Sequence, residues 1–303
     1  MQSGNRKLIT ENRRQNMLQD KYKNWLLLLL VSFIWGSPYI LREIALKSFS
    51  HSQVAAFQVF LSFVLFLPLI FKNFKKLSKD NIGPLLLSGL AGNIGPSFFF
   101  AKAQTLINSS TAGMLNAMLP SITLILAILL FKSKSNRNML LGISLGLIGS
   151  CIIALTGDSL GSTQVMGVFY VFMAILSVAV SINLISFALL KLNGVEIASL
   201  AFLFVGPMAG IFLLTTDLQS VIHSENFTQS AAMLALLAVL TFFGVIFYNQ
   251  LIKRSSHVFA ASIAYLIPVV ALFWGITIGG DQISISQILA ICLILVGVNL
   301  THR

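Results

Sequence analysis

The residues able to do chemistry in this chain are polar and aromatic side chains set inside long apolar runs. Trp35 and Tyr39 are four apart, so a helix presents them on one face, and Pro38 frees a backbone carbonyl one turn earlier. They read as an aromatic wall of a substrate cavity. Asn93 sits in Gly92-Asn93-Ile94-Gly95-Pro96. Two glycines and a proline in five residues weaken a helix and expose its backbone, as at the midplane breaks where carriers bind ligands. Asn116 lies one turn before Pro120, and Tyr265 lies close before Pro268. Asn183 and Tyr248 complete the substrate-binding candidates. Each fits a ligand contact or an interhelical hydrogen bond.

Three charged residues stand near the ends of apolar runs: Arg42, Glu43 and Lys102. They read as outer-mouth charges. They either snorkel toward headgroups or act on substrate, with Arg42 or Lys102 meeting a carboxylate and Glu43 pairing with one of them. No acid stands at mid-depth in an apolar run, which leans against a carboxylate proton relay. The chemistry is binding and not catalysis. The four histidines fall in loops or at the edges of runs, and neither a His-Glu-x-x-His nor a Gly-x-Ser-x-Gly pattern is present. No metal spacing and no cofactor motif exists, and an enzyme is not expected. Cys151 and Cys292 read as small apolar packing residues.

The elements that must position these residues are membrane helices. Hydrophobic residues make up 56% of the chain and charged residues only 10%, with a mean hydropathy of +0.89. A soluble domain carries about 25% charged residues, so lipid must be the solvent for much of this surface. The hydrocarbon core needs about 20 helical residues per crossing. Ten runs meet that need: 25–46, 53–71, 83–101, 109–131, 138–156, 165–190, 197–215, 231–252, 257–279 and 283–300. Each backbone polar group must be paired within its segment there, which makes the runs helices.

The basic residues collect in the N-terminal 24 residues and in alternate gaps, including Lys72, Lys76, Lys132, Lys134, Lys191 and Arg254. The opposite gaps hold Lys47, Asp158, Asp217, Glu225 and Asp281. Positive residues stay on the cytoplasmic side, so both termini are expected there, in a multi-pass protein of the inner (plasma) membrane. The net charge of +11 is therefore a topology signal, and nucleic acid is not an expected partner. The partners are the lipid bilayer and a small-molecule substrate. Gly142, Gly146 and Gly149 form a small-residue ridge that suits pairing within the fold or between protomers, and so leaves a homodimer open.

A shift of 148 residues lays the second half on the first: Pro120 falls on Pro268, Ala112 on Ala260 and Gly149 on Gly297. Each half holds five runs. An odd number of crossings starts the second half on the opposite side, so the expected fold is all-α, ten transmembrane helices as a 5+5 inverted-topology repeat. Its parts are a basic tail (1–24) and two five-helix repeats (25–156 and 165–300). Such repeats build alternating access in transporters.

Trp35-Gly36-Ser37-Pro38-Tyr39, Ala112 to Phe131 with Leu119-Pro120 inside it, Leu266-Ile267-Pro268 with Gly279-Gly280-Asp281, and Ile288 to Leu300 with Gly297 follow one another in order. With these motifs the chain resembles the EamA-type transporters of the drug/metabolite transporter superfamily over residues 25–300. The resemblance implies a ten-helix carrier of small metabolites, often an exporter of amino acids or related amphipathic compounds. Two positions depart from it. Phe131-Lys132-Ser133-Lys134 stands where a Gly-Glu-Arg-like turn is common, and Gln58 occupies the place of a common arginine. The alternative reading is a channel or a scaffold that transports nothing.

Overall fold

The computed structural model describes residues 22–131, 137–155, 162–254 and 263–301. The basic cations of residues 1–21, Lys132, Lys134, Asp158, His257 and His302 lie outside them. All regular structure among the described residues is helical. The elements are α1 (Tyr22–Ala45), α2 (His51–Lys76), α3 (Lys79–Ala103), α4 (Ser109–Leu130), α5 (Arg137–Leu155), α6 (Ser162–Ala188), α7 (Gly194–Leu214), α8 (Phe227–Arg254), α9 (Ile263–Trp274) and α10 (Ile285–Thr301). Seven of them, α1 to α4 and α6 to α8, are long and apolar enough to cross a bilayer. The other three are shorter apolar helices.

Helix ends are set by local chemistry. Ser50 and Gln53 form a reciprocal capping box that starts α2, and Asn193 with Glu196 does the same for α7. Ser284 and Gln287 exchange the same two hydrogen bonds at the start of α10. Each box satisfies backbone donors that the first turn leaves unpaired. These caps and the lysine-bearing last turns extend the helices beyond the apolar runs, so α2 covers 51–76 instead of 53–71 and α8 covers 227–254 instead of 231–252. The last turn of α9 widens into a π turn (Gly275–Gly279), which Gly280 closes with a left-handed φ of 71°. Glycine adopts that conformation without steric cost.

Three helix pairs at matching places in the two halves run antiparallel. In α2 and α7, Asn73 Nδ2 donates to Ser199 Oγ at 3.0 Å, Phe63 lies on Gly206, Phe60 on Gly210, and Gln53 Nε2 donates to the Asp217 carbonyl at 2.9 Å. In α5 and α10 a Cβ at Gly297 would sit 2.6 Å from the Gly142 carbonyl oxygen, and one at Gly149 would sit 2.7 Å from that of Ala290. The glycine ridge is therefore filled by α10 of the same chain. In α4 and α9, Gly113 faces Ala271 and Ser110 faces Gly275 and Asp281. Between these pairs α1 packs on α8, and α3 on α6.

Helix starts at 79 and 137 recur 148 residues on, at 227 and 285. The α2 and α7 starts, 51 and 194, are 143 apart. The single offset of 148 thus fails for that pair. Two residues separate α2 from α3, whereas residues 215–226, with a helical turn at Gln219–Ile222, separate α7 from α8.

Large apolar side chains such as Leu129, Ile211 and Leu289 cover the outside of the bundle, as a lipid-facing surface requires. Cys151 and Cys292 join them and do not pack in the core. Each stands two residues, about 200° of helix rotation, from the seam formed by Gly149 with Ala290 and Ile294.

Candidate functional site

The site candidates are spread over several helices, and the aromatic ones flank the Ser37-Pro38 turn of α1. Ser37, just before Pro38, keeps helical φ and ψ of −73° and −28°. Its Oγ donates to the Phe33 carbonyl at 2.7 Å and accepts from Trp274 Nε1 of α9 at 2.9 Å. The two aromatics expected to share a wall meet different helices. Trp35 turns to α8, with its ring 4.7 Å from that of Tyr248. Tyr39 turns to α3 and meets Phe100 edge-on at 5.5 Å. Tyr39 is buried, and its carbonyl accepts from Gln104 Nε2 at 2.6 Å. Trp35 and Tyr248 are half-buried, which leaves them reachable. Tyr265 lies on α9, and its side chain falls outside the described residues.

Asn93 sits in a π turn spanning Leu90–Ile94. The wide turn alters the backbone pairing of α3, and α6 compensates. Ser177 Oγ donates to the Ala91 carbonyl at 2.8 Å, and Ser181 Oγ to the Ser88 carbonyl at 3.0 Å. These serines are four apart on one face of α6. The approach requires glycine: a Cβ at Gly92 would lie 2.5 Å from Ser181 Oγ. Asn116 sits in a comparable irregularity, a 3₁₀ turn at Asn116–Met118. Both asparagines are half-buried, and neither side chain is hydrogen-bonded to another described residue. Their amides are available to a ligand. Asn183 is different. It is buried, and its Nδ2 donates to the Thr123 carbonyl of α4 at 3.0 Å and to the Ala179 carbonyl at 2.9 Å. It joins α6 to α4.

The three charges also separate. Glu43 pairs with neither Arg42 nor Lys102. Its Oε2 accepts from Ser109 N at 2.9 Å, at the start of α4. Asp281 Oδ2 accepts from Ser110 N at 3.1 Å, and Asn108 caps Thr111 N at 2.9 Å. Three side chains from three segments thus satisfy the first N–H groups of α4, where the helix dipole favours negative charge. Lys102 is half-buried in the last turn of α3 and forms no ion pair with a described residue. Arg42 is buried, and its Nε donates to Gln58 Oε1 at 3.3 Å. Its guanidinium carbon lies 5.5 Å from the Phe100 ring centre and 6.0 Å from that of Tyr39.

Sequence reasoning missed the partnership of Arg42 with Gln58, although a signal was present. Both residues stand eight positions from Ser50, the cap of the α1–α2 hairpin. Two antiparallel helices bring such positions to one depth. The serines of α6 that cover the π turn gave no comparable signal, because nothing in their spacing points to α3.

Comparison with known proteins places these features in a group. A solved crystal structure superposes with a TM-score of 0.62, covering 92% of this chain and 96% of the other at 12% identity, which shows a shared fold. The uncharacterized inner membrane transporter YedA of Escherichia coli K12 is 28% identical over 280 residues, 88% of this chain and 86% of its own length. An uncharacterized transporter of Clostridium kluyveri is 24% identical over 287 residues, 91% of each chain. The model of the EamA-like transporter family matches twice, at residues 23–155 and again at 165–302. The double match spans nearly all described helices, and the chain belongs to the EamA-like transporter family.

Proposed function

We propose that the chain is a secondary carrier of the inner membrane, moving small metabolites such as amino acids or related amphipathic compounds, most readily as an exporter. In this reading ten helices cross the bilayer as two five-helix halves of opposite orientation, with both termini in the cytoplasm. The two halves rock against each other about a site lined by Trp35, Tyr248, Asn93 and Asn116.

One observation carries the reading. The matching helices α2 and α7, α5 and α10, and α4 and α9 pack antiparallel. A molecule whose halves are related by an in-plane axis has two near-equivalent arrangements, one open to each side. The double family match supports the two-part division. The inner-membrane location follows the description of the Escherichia coli relative. Aromatic faces and unpartnered amides suit a small ligand with apolar and polar parts.

Counterflow in proteoliposomes tests it. Vesicles loaded with a metabolite mixture are diluted into labelled members of the same mixture. A carrier transiently accumulates label above its outside concentration, driven by exchange with the outflowing unlabelled substrate. A scaffold takes up none, and a channel equilibrates without accumulation.

A further inference from the structure

Arg42 is only 6% exposed, yet no carboxylate among the described residues neutralises it. The acids at this end of the bundle are committed elsewhere: Glu43 is on Ser109 N and Asp281 on Ser110 N. A guanidinium has five N–H donors. Here Nε takes Gln58, and the four donors on the two terminal nitrogens have no hydrogen-bond partner among the described residues. A buried cation without a counter-charge is costly unless something else compensates it.

The setting indicates what does. Phe100 and Tyr39 lie within cation–π range of the guanidinium, at 5.5 and 6.0 Å. Contacts of this kind use the faces of the group and leave its in-plane edge. The polar side-chain atoms sealed from solvent without a partner include Ser62 Oγ and Gln104 Oε1, and no Arg42 nitrogen is among them. The edge is therefore not wholly sealed from solvent, although the residue is only 6% exposed. Two parallel N–H groups in a plane match the two oxygens of a carboxylate. One positive charge balances one carboxylate, whereas a phosphate dianion would leave net negative charge buried.

We propose that Arg42 is an anion site that takes the carboxylate of the metabolite, with Gln58 orienting the guanidinium and Phe100 and Tyr39 flanking it. That the anion is transported rests on the carrier reading; that it binds does not.

The test is thermal unfolding of the purified full-length chain in detergent, with matched acid and amide pairs at equal ionic strength. The pairs are acetate and acetamide, benzoate and benzamide, and 3-phenylpropionate and 3-phenylpropionamide, with inorganic phosphate as a separate arm. At least one acid raises the midpoint above its amide by about a few degrees, the linkage shift of a ligand well above its Kd. Arg42→Met abolishes the difference, and Arg42→Lys, a point charge without the fork, retains part of it. Arg42→Gln serves in place of Arg42→Met if that variant does not fold. Equal shifts for every acid and its amide, or an acid-specific shift that survives in the uncharged variant, would overturn the site. Stabilisation by phosphate alone would overturn the carboxylate assignment. Binding without counterflow removes the carrier reading and keeps the site. Counterflow without an acid–amide difference removes the site and keeps the carrier.

Discussion

Asp281 and Ser110 lie 171 residues apart, and the Asp281 carboxylate accepts the Ser110 backbone N–H at 3.1 Å. The bond ties the segment after α9 to the first turn of α4. Glu43 holds the neighbouring donor, Ser109 N, from the last turn of α1. Three segments are thus fastened at one helix start, at the end of the bundle where Arg42 is buried.

Loss of a capping acceptor costs about 0.5–2 kcal/mol. Asp281→Ala is expected to destabilise the chain by about 1 kcal/mol on that basis. Asp281→Asn, which keeps an acceptor, is expected to cost less than half as much. Thermal unfolding in detergent measures both. Equal effects would show that the charge and not the acceptor matters.

The other end of the bundle carries an ion pair between Lys76 and Glu196, with side chains 50% and 11% exposed. Lys76→Ala removes only a half-exposed pair, so the expected loss is below about 1 kcal/mol. Glu196 also accepts from Asn193 N at 2.9 Å as part of the capping box of α7. Glu196→Ala is therefore expected to cost more than Lys76→Ala, and the double variant less than the sum of the two. Unfolding midpoints of the three variants decide it.

Gly92→Ala drives a methyl group into Ser181 Oγ, and overpacking of this kind costs about 1–3 kcal/mol. Ser181→Ala removes the obstruction, along with the hydrogen bond to the Ser88 carbonyl. The double variant is expected to be less destabilised than the sum of the single ones. A strictly additive cycle would show that α3 and α6 do not meet as described.

Asn93 and Asn183 separate site from scaffold. Asn183→Ala breaks the link from α6 to the Thr123 carbonyl of α4, an expected loss of about 1 kcal/mol. Asn93→Ala breaks no hydrogen bond to a described residue, so stability and monodispersity stay near wild type while counterflow is lost. Trp35→Ala is expected to follow Asn93→Ala in transport. Wild-type flux in both would remove them from the site.

The helices were legible because each apolar run is long and, apart from Arg42 and Glu43 in the first, the charges sit outside the runs. The repeat was legible from Pro120 with Pro268 and Gly149 with Gly297, since proline and glycine mark backbone geometry as well as side chain. The offset at α7 was not, because the change falls in connections, whose length the bilayer does not constrain. The irregular backbone around Asn93 could be read from its glycines and proline. The fate of Trp35 and Tyr39 could not: helical spacing assigns one face, but that face meets α8 at the level of Trp35 and α3 at the level of Tyr39. Glu43 was expected to pair with Arg42 or Lys102, the two cations near the same end of the runs. On a helix, adjacent residues point about 100° apart, and Arg42 and Glu43 each found a partner on a different neighbour, Gln58 of α2 and Ser109 of α4.

The central claim is that the second half of the chain lies inverted relative to the first, so the C-terminal ends of α2 and α7 face opposite sides of the membrane. The most direct measurement places a single cysteine at Lys75 or at Thr215, both exposed, in a background with Cys151 and Cys292 changed to serine. Intact cells are then treated with a membrane-impermeant thiol reagent. Thr215→Cys is expected to react in intact cells, and Lys75→Cys only after permeabilisation. Reaction of both from the same side would contradict the inversion and, with it, alternating access between the two halves.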